Sequence, residues 1–253
     1  MLIDAHCHLD FEAFDDDREA MFERARAAGV EHFMVPGTTR EGWPQVLALG
    51  AARSDVSISL GLHPCFMEEH GEEDVEALAG VLDEHPEVRA LGECGIDARF
   101  EETLDVQWKL FDAQLRLAKS RQLPVVIHCV HANDKVSKRL RQLDLPAGGL
   151  IHAFAGSPEQ AWKFNDLGFV VGLGGAVTYE RAQRLWRAVK RLPEDGFVLE
   201  TDSPDMPLCG YQGQRNEPAR IAQVCEMVAK LRGEPPATIA AQSTANVRRV
   251  FDI

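Results

Sequence analysis

The feature that most constrains the fold is a regular alternation of short apolar segments with amphipathic segments along all 253 residues. The apolar segments have the length and the Val/Ile/Leu content of buried strands, whereas the amphipathic segments have helical spacing. Strands are predicted at Leu2–His6, His32–Pro36, Val56–Leu62, Val88–Gly92, Pro124–His128, Gly149–Ala153, Phe169–Leu173 and Gly196–Thr201. Helices are predicted at 15–29, 41–53, 72–84, 103–121, from the fifth strand to 143, and at 157–167, 179–192, 217–232 and 240–251.

Strands that alternate with helices form parallel sheets whose crossovers are the helices. Eight such units in a chain of this length favour a closed barrel over an open doubly wound sheet. No linker or low-complexity stretch interrupts the pattern. The predicted fold class is therefore α/β, a single (β/α)8 TIM barrel, with residues 1–253 forming one domain.

Polar side chains follow five of the eight predicted strands. His6 and His8 end the first strand, and successive strand residues point to opposite faces, so these two imidazoles point the same way. A carboxylate or imidazole placed after an apolar strand is costly to bury unless it is bonded or ligated. Because the carboxyl ends of barrel strands meet at one mouth, where active sites are built, these side chains are expected to converge there.

The converging side chains are of the kinds that bind divalent metal ions. Nitrogen and oxygen donors without thiolate suit Zn²⁺, Mn²⁺, Co²⁺ or Fe²⁺ and, less well, Mg²⁺. Six donors are too many for one open catalytic ion and suit two ions that share a carboxylate. Glu93 is the expected bridge, and Asp202 is expected both to bind an ion and to accept the proton of the attacking water. The predicted ligands are His6, His8, Glu93, His128, His152 and Asp202.

Other polar residues near the predicted mouth have two interpretations each. His63 follows the third strand and is expected to contact substrate, with helix capping beside Pro64 as the alternative. Arg215 and Asn216 follow the last strand, where phosphates often bind in barrels, and substrate binding and loop anchoring are both open. Asp4 is expected to orient a ligand rather than to bind metal.

Three of the cysteines directly neighbour predicted ligands in sequence. Strand alternation turns Cys7, Cys94 and Cys129 away from the barrel interior, and they are predicted to be small core residues. The six cysteines show no compact spacing, as expected of reduced thiols in a cytosolic protein.

The chain resembles the TatD family of metal-dependent deoxyribonucleases, within the amidohydrolase-like barrels, and is most similar to its YjjV-type branch. The match runs nearly from end to end, and separated motifs in the same order carry it. These motifs are IDAHCHLD at 3–10, GLHP at 61–64, GECGID at 92–97, LPVVIH at 123–128, IHAFAGS at 151–157, LETDSPDMPL at 199–208 and NEP at 216–218.

The resemblance implies a (β/α)8 barrel with a divalent-metal centre that hydrolyses phosphodiesters, commonly by trimming DNA from 3′ to 5′. By motif position it places the family's metal ligands on the same six residues. Two positions depart from the common pattern. Cys65 stands where many members have a second histidine, and Val130 stands where many have an arginine.

Charge is distributed unevenly along the chain, whose net charge is −13. Residues 1–110 carry 8 Lys/Arg against 25 Asp/Glu, and residues 130–191 carry 10 against 5. Solvated helix faces are the simpler explanation, and a basic rim that meets an anionic substrate is the alternative. An acidic protein is unsuited to coating long nucleic acid by neutralising phosphates.

These observations predict a cytoplasmic, monomeric phosphodiester hydrolase with two divalent ions and no obligate protein partner. Its expected substrate is DNA ends or short oligonucleotides, attacked by a metal-activated hydroxide. The chain has no apolar run near the ~20 residues that a membrane span needs and no secretory signal pattern. One alternative is a barrel hydrolase of a small ester, lactone or amide. The other is a non-catalytic metal-binding scaffold, against which the intact ligand set argues.

Overall fold

Eight parallel strands form one sheet whose spatial order is the order of the chain. The computed structural model describes residues 1–71 and 73–253. The strands are β1 (Leu2–Asp4), β2 (Val30–Gly37), β3 (Val56–Leu60), β4 (Ala90–Asp97), β5 (Val125–Val130), β6 (Gly149–Ile151), β7 (Phe169–Leu173) and β8 (Phe197–Leu199).

Helices connect the strands and cover the outside of the sheet. They are α1 (Arg18–Ala27), α2 (Trp43–Ala52), α3 (Glu73–Glu84), α4 (Leu104–Arg121), α5 (Asn133–Leu143), α6 (Pro158–Asn165), α7 (Gln183–Val189), α8 (Ile221–Arg232) and α9 (Pro236–Phe251). The predicted third helix began at Glu72, which lies outside the described residues. The α6 start follows its sequence signal, because Ser157 and Gln160 form a capping box before Pro158.

The last strand is joined to the first by backbone hydrogen bonds. Ala5 N donates to Leu199 O at 3.1 Å, and Asp202 N donates to His6 O at 2.9 Å. With eight parallel strands and these bonds, the sheet closes into the TIM barrel that the sequence predicts. No helix in the described part of the chain is long and apolar enough to cross a bilayer.

Apolar side chains fill the barrel interior beneath its carboxyl mouth. Val126 and Leu150 belong to this inner cluster and lie two residues before His128 and His152, so they form the layer under the polar groups. The C-terminal helix α9 adds Val247 and Phe251 to the same cluster. A separate, larger cluster lies between the strands and the outer helices, and it contains Cys7 and Cys94 as predicted.

The fourth strand differs from its prediction. The predicted strand ends at Gly92, whereas β4 continues to Asp97. Gly92 and Gly95 have φ values of +135° and +149°, and a β-carbon on them would lie 2.4 Å from Val126 O and 2.0 Å from His128 O. The two glycines therefore permit the close approach of β4 to β5, which places Glu93 at the centre of the mouth.

Candidate metal centre

The carboxylate of Glu93 lies at the centre of the mouth, and its side chain is 1% exposed. Its Oε2 is 3.2 Å from His6 Nε2 and 3.4 Å from His8 Nε2. Asp202 Oδ1 lies 3.4 Å from both of these nitrogens. One oxygen of Glu93 therefore faces a first group of donors, formed by His6, His8 and Asp202.

The other oxygen of Glu93 faces a second group of donors. Its Oε1 is 2.7 Å from His152 Nε2 and 3.2 Å from His128 Nδ1. His128 Nδ1 and His152 Nε2 are themselves 3.1 Å apart. The second group thus comes from β5 and the residue after β6, whereas the first group comes from the two ends of the barrel sheet.

The histidines at 6 and 8 converge as predicted, with their Nε2 atoms 3.3 Å apart. They lie beyond the last residue of β1, so hydrogen bonds to neighbouring segments fix their backbone. Cys7 N donates to Met34 O at 3.1 Å, and His8 N donates to Ser203 O at 2.7 Å.

The donor atoms fit metal ions better than they fit one another. Both Glu93 oxygens are buried without a well-directed hydrogen bond, although imidazole nitrogens lie close to them. Buried carboxylates are normally hydrogen-bonded or bound to a cation. Three of the compact groups that these atoms form are His6–His8–Glu93, Glu93–His128–His152 and His6–His152–Asp202, and within each the ligand atoms lie within 4.8 Å of one another. The structure therefore brings all six predicted ligands together, in an arrangement suited to cations shared through Glu93.

Burial and the attraction between the carboxylates and the imidazoles shift the pKa values of these groups in opposite directions. Burial tends to raise the pKa of Glu93, but the surrounding imidazoles outweigh it and hold that pKa well below its usual range. Burial likewise opposes the charge on His8 and His128, yet Asp202 and Glu93 raise the pKa of His8, and Asp97 and Glu93 raise that of His128, each to about 9. For His152 burial wins and lowers its pKa to about 4. The centre thus concentrates negative charge on Glu93 and Asp202, the charge that a divalent cation would neutralise.

His63 lies among the ligands, and its two ring nitrogens have different partners. Its Nδ1 accepts a hydrogen bond from Cys65 N at 3.0 Å, which confirms the capping alternative. A neutral ring that accepts at Nδ1 carries its proton on Nε2, and burial lowers the pKa of His63 so that it stays neutral. Its Nε2, 2.8 Å from Glu93 Oε1, is consequently a hydrogen-bond donor directed into the centre.

Asp97 orients His128. The two meet at 3.1 Å between Asp97 Oδ2 and His128 Nε2, on the ring edge opposite to Glu93. Arg99 holds the same carboxylate through two bonds, from Nε to Oδ1 at 2.9 Å and from Nη2 to Oδ2 at 2.5 Å. A carboxylate that accepts from the far nitrogen fixes the imidazole with its near nitrogen free to bind metal.

Asp4 acts on the backbone rather than on an imidazole ring. It accepts hydrogen bonds from Thr201 Oγ1 at 2.6 Å, from Thr201 N at 3.0 Å and from His6 N at 3.3 Å. It therefore supports a ligand, as expected, by fixing the chain at His6 and tying the first strand to the segment after the last.

Glu200 is a buried carboxyl that the sequence prediction missed. It accepts from Ala153 N at 2.5 Å, and burial raises its pKa to about 8. In the segment ETDSP the metal ligand was predicted at Asp202. Nothing in the local sequence pattern distinguished Glu200 from an ordinary core residue of the strand.

Arg215 and Asn216 make loop-anchoring contacts. Arg215 pairs with Asp17 through bonds of 2.7 and 2.9 Å. Asn216 is fully buried, and its amide donates to Thr201 O at 2.9 Å and to Met206 O at 3.3 Å. The geometry favours the anchoring interpretation over the predicted substrate contact for both side chains.

Comparison with known proteins agrees with the geometry. The family model described as "TatD related DNase" matches residues 3–252. An "Uncharacterized metal-dependent hydrolase YjjV" from Escherichia coli (strain K12) is 41% identical, over 99% of this chain and 98% of that protein. A "3'-5' ssDNA/RNA exonuclease TatD" from Rahnella sp. (strain Y9602) is 34% identical, over 96% of this chain and 95% of that protein.

The solved structures include a similar barrel. The crystal structure of YjjV, a TatD homologue from Escherichia coli K12, superposes with a TM-score of 0.96 at 40% identity and covers 100% of this chain and 98% of that one. The family predicted from the separated motifs is thereby confirmed, including its YjjV-type branch. From the whole-length family match and the 41% identical relative, the chain belongs to the TatD-related DNase family.

Proposed function

We propose that the chain is a metal-dependent hydrolase of phosphodiester bonds, most specifically a deoxyribonuclease that trims DNA ends or short oligonucleotides. The observation that carries this proposal is the Glu93 carboxylate, which presents one oxygen to each of two donor groups. Sites that share a carboxylate in this way are typical of two-ion phosphoryl-transfer enzymes. Membership of the TatD family and the exonuclease names of some relatives support the same substrate class.

The residues divide between two ion sites. His6, His8 and Asp202 with Glu93 Oε2 would hold one divalent ion, and His128 and His152 with Glu93 Oε1 would hold the other. Zn²⁺, Mn²⁺, Co²⁺ and Mg²⁺ are the candidates, because the donors are nitrogen and oxygen. Ions bound there would lower the pKa of a water molecule and offset the charge that develops on the phosphoryl group.

Asp202 is placed to accept the proton of the attacking water. Its side chain is 15% exposed, so it borders the mouth, whereas Glu93 is sealed beneath it. Burial opposes ionisation of Asp202, but His6 and His8 beside it hold its pKa well below the usual range. It is therefore an ionised base at neutral pH, and a metal ligand when an ion is bound.

His63 supplies a neutral donor at the same place. Because Cys65 N occupies its Nδ1, the Nε2–H can donate to a non-bridging phosphate oxygen without loss of charge balance. This assignment combines the expected substrate contact of His63 with its observed capping bond. Glu93 lies between the two donor groups and fixes their positions relative to each other. Asp97 holds the His128 ring in position.

The test is a metal-reconstitution assay. The purified protein is stripped with a chelator and reloaded separately with Zn²⁺, Mn²⁺, Co²⁺ or Mg²⁺. Each form is incubated with end-labelled single- and double-stranded DNA, RNA, bis(p-nitrophenyl) phosphate and a p-nitrophenyl carboxylester, with Asp202→Asn as the control. We expect metal-dependent shortening of labelled DNA that Asp202→Asn lacks.

Two outcomes would overturn the proposal. DNA cleavage that persists in Asp202→Asn would trace the activity to a contaminating nuclease. Hydrolysis of the carboxylester with no action on any phosphodiester would establish the alternative, a barrel hydrolase of small esters, lactones or amides.

A further inference from the structure

A groove opens beside the metal centre, along the segments that follow two ligand-bearing strands. It has a volume of about 590 Å³ and is lined by residues 129–135 after His128, by Ala153 and Ala155 after His152, and by Gln160 and Arg184. Ligand sites usually have volumes of about 300–1,000 Å³. The same two segments carry His128 and His152, so the groove lies beside the second donor group.

The groove carries two cations that form no salt bridge with a described residue. Lys135 and Arg184 are exposed, and among the described residues neither lies within 4.0 Å of a carboxylate oxygen. Arg184 donates to the neutral Gln160 Oε1 at 2.7 Å. The one carboxylate of the lining, Asp134, is already bonded by Lys163 at 2.8 Å and by Gln160 at 2.9 Å.

In the acidic half of the chain, by contrast, most arginines are bonded to carboxylates. The arginines there that bond carboxylates are Arg18, Arg24, Arg26, Arg40, Arg53 and Arg99. Unpaired cations in a concave surface next to a catalytic centre attract anions, and this local attraction opposes the repulsion expected from a molecule of net charge −13. Part of the excess of basic residues between 130 and 191 therefore lies in this groove beside the metal centre.

We propose that this groove binds the phosphodiester backbone of a single nucleic-acid strand next to the scissile phosphate, with Lys135 and Arg184 on successive phosphates. The inference rests on the proposed nuclease function and assigns the residues that hold the strand beside the scissile phosphate. The lining between the cations is small or apolar (Val130, Ala132, Ala153 and Ala155), which leaves room for sugars. In this proposal the two cations take over the role of the arginine that many family members carry at the position of Val130.

Helix direction supplies a matched control. In a (β/α)8 barrel the helices run back from the mouth, so their first residues lie nearest to it. Lys135 and Arg184 are in the first turns of α5 and α7, and Lys138 and Arg187 follow one turn further from the mouth. Lys138→Ala/Arg187→Ala removes the same charge as Lys135→Ala/Arg184→Ala, from residues outside the groove lining.

Binding is measured first on the metal-free protein, by fluorescence anisotropy with a 3′-labelled ten-nucleotide oligothymidine. We expect the groove variant to bind about tenfold more weakly than wild type, since it loses two charge-assisted phosphate contacts. The slope of log K against log salt should fall by about 1.4, at roughly 0.7 per phosphate contact of a single strand. The Lys138/Arg187 control should match wild type in both measurements.

Kinetics on the metal-loaded enzyme then test the position of the groove. The rise in KM of the groove variant should increase with substrate length, from less than threefold for a dinucleotide to about tenfold for the ten-mer. An affinity and a salt slope equal to those of wild type, or equal losses in the groove and control variants, would overturn the proposal. If wild type hydrolyses no phosphodiester but only the groove variant loses oligonucleotide binding, the nuclease proposal fails and the groove assignment stands.

Discussion

The carboxylate that orients His128 offers the sharpest test of the metal centre, through Asp97→Asn. Asp97 Oδ1 accepts from Arg99 N at 3.1 Å and from Arg99 Nε at 2.9 Å, while Oδ2 accepts from His128 Nε2 and Arg99 Nη2. All four of these nitrogen atoms therefore act as hydrogen-bond donors to the carboxylate. Either orientation of an asparagine amide would turn its NH₂ group towards donors, so the substitution breaks bonds on one side whichever way it flips.

The magnitude follows from the role of His128. Loss of a carboxylate behind a metal-binding imidazole typically lowers metal affinity about 10- to 100-fold, which is about 1.4–2.7 kcal/mol. The assay is competition for Zn²⁺ between the metal-free protein and a chromophoric chelator. Only the site that contains His128 should weaken, so a titration that resolves two ions should show one altered step.

The matched control is Asp112→Asn, the same chemical change on the outer helix α4. Asp112 is bonded by Arg116 and Arg139 and lies among no ligand residues. We expect wild-type Zn²⁺ affinity for this variant. If Asp97→Asn also binds Zn²⁺ with wild-type affinity, the inference that Asp97 positions His128 is wrong.

Four further predictions follow from the same geometry. Asp202→Asn should lower kcat on end-labelled DNA by roughly 10²–10⁴ through loss of the base, and activity above a tenth of wild type would contradict the assigned role. Chelation should lower Tm by about 5–10 °C relative to protein at 100-fold the metal Kd, since ~2.7 kcal/mol of linkage is lost; a calorimetric scan with unchanged Tm would argue against ions in the native centre. Burial lowers the folded-state pKa of His32, whose Nε2 lies 2.8 Å from Ser57 Oγ, so its contribution to stability is complete above the unfolded pKa near 6.5 and is lost as pH falls below it; the free energy of unfolding in urea should fall less between pH 7 and pH 5 in His32→Asn than in wild type, and parallel curves would refute this assignment. Asn216→Ala should lose about 1–3 kcal/mol of unfolding free energy by leaving Thr201 O and Met206 O unpaired, whereas a higher KM at unchanged stability would restore the substrate-contact interpretation.

Sequence reasoning predicted the barrel and the convergence of the donors, because strand-end position alone determines which side chains reach the mouth. His6, Glu93 and Asp202 come from the first, fourth and eighth strand units, and barrel topology brings them together whatever the details of the loops. The same reasoning separated Cys7 from its neighbouring histidines, since alternation turns it into the outer core.

The finer assignments depended on contacts that no local pattern encodes. The tautomer of His63 is set by a backbone N–H two residues away, which reaches the ring only because the segment after β3 turns into a 3-10 helix. Asp97 pairs with His128 from 31 residues away, and it lies on β4 because that strand continues beyond its predicted end at Gly92. Asn216 is buried and bonded to the carbonyls of Thr201 and Met206, which the NEP motif did not indicate.

The closure of β8 onto β1 has a consequence for how the protein folds. His63, Glu93, His128 and His152 all lie in the first 152 residues, so the second donor group can assemble before the last strand is added. The first group cannot, because Asp202 reaches His6 only when strand units separated by nearly the whole chain pair through Ala5–Leu199 and His6–Asp202 bonds. Contacts of such sequence separation form late in folding. In the proposed two-ion centre, the site with His128 and His152 is therefore expected to form early on the nascent chain, and occupancy of the site with Asp202 should report that the barrel has closed.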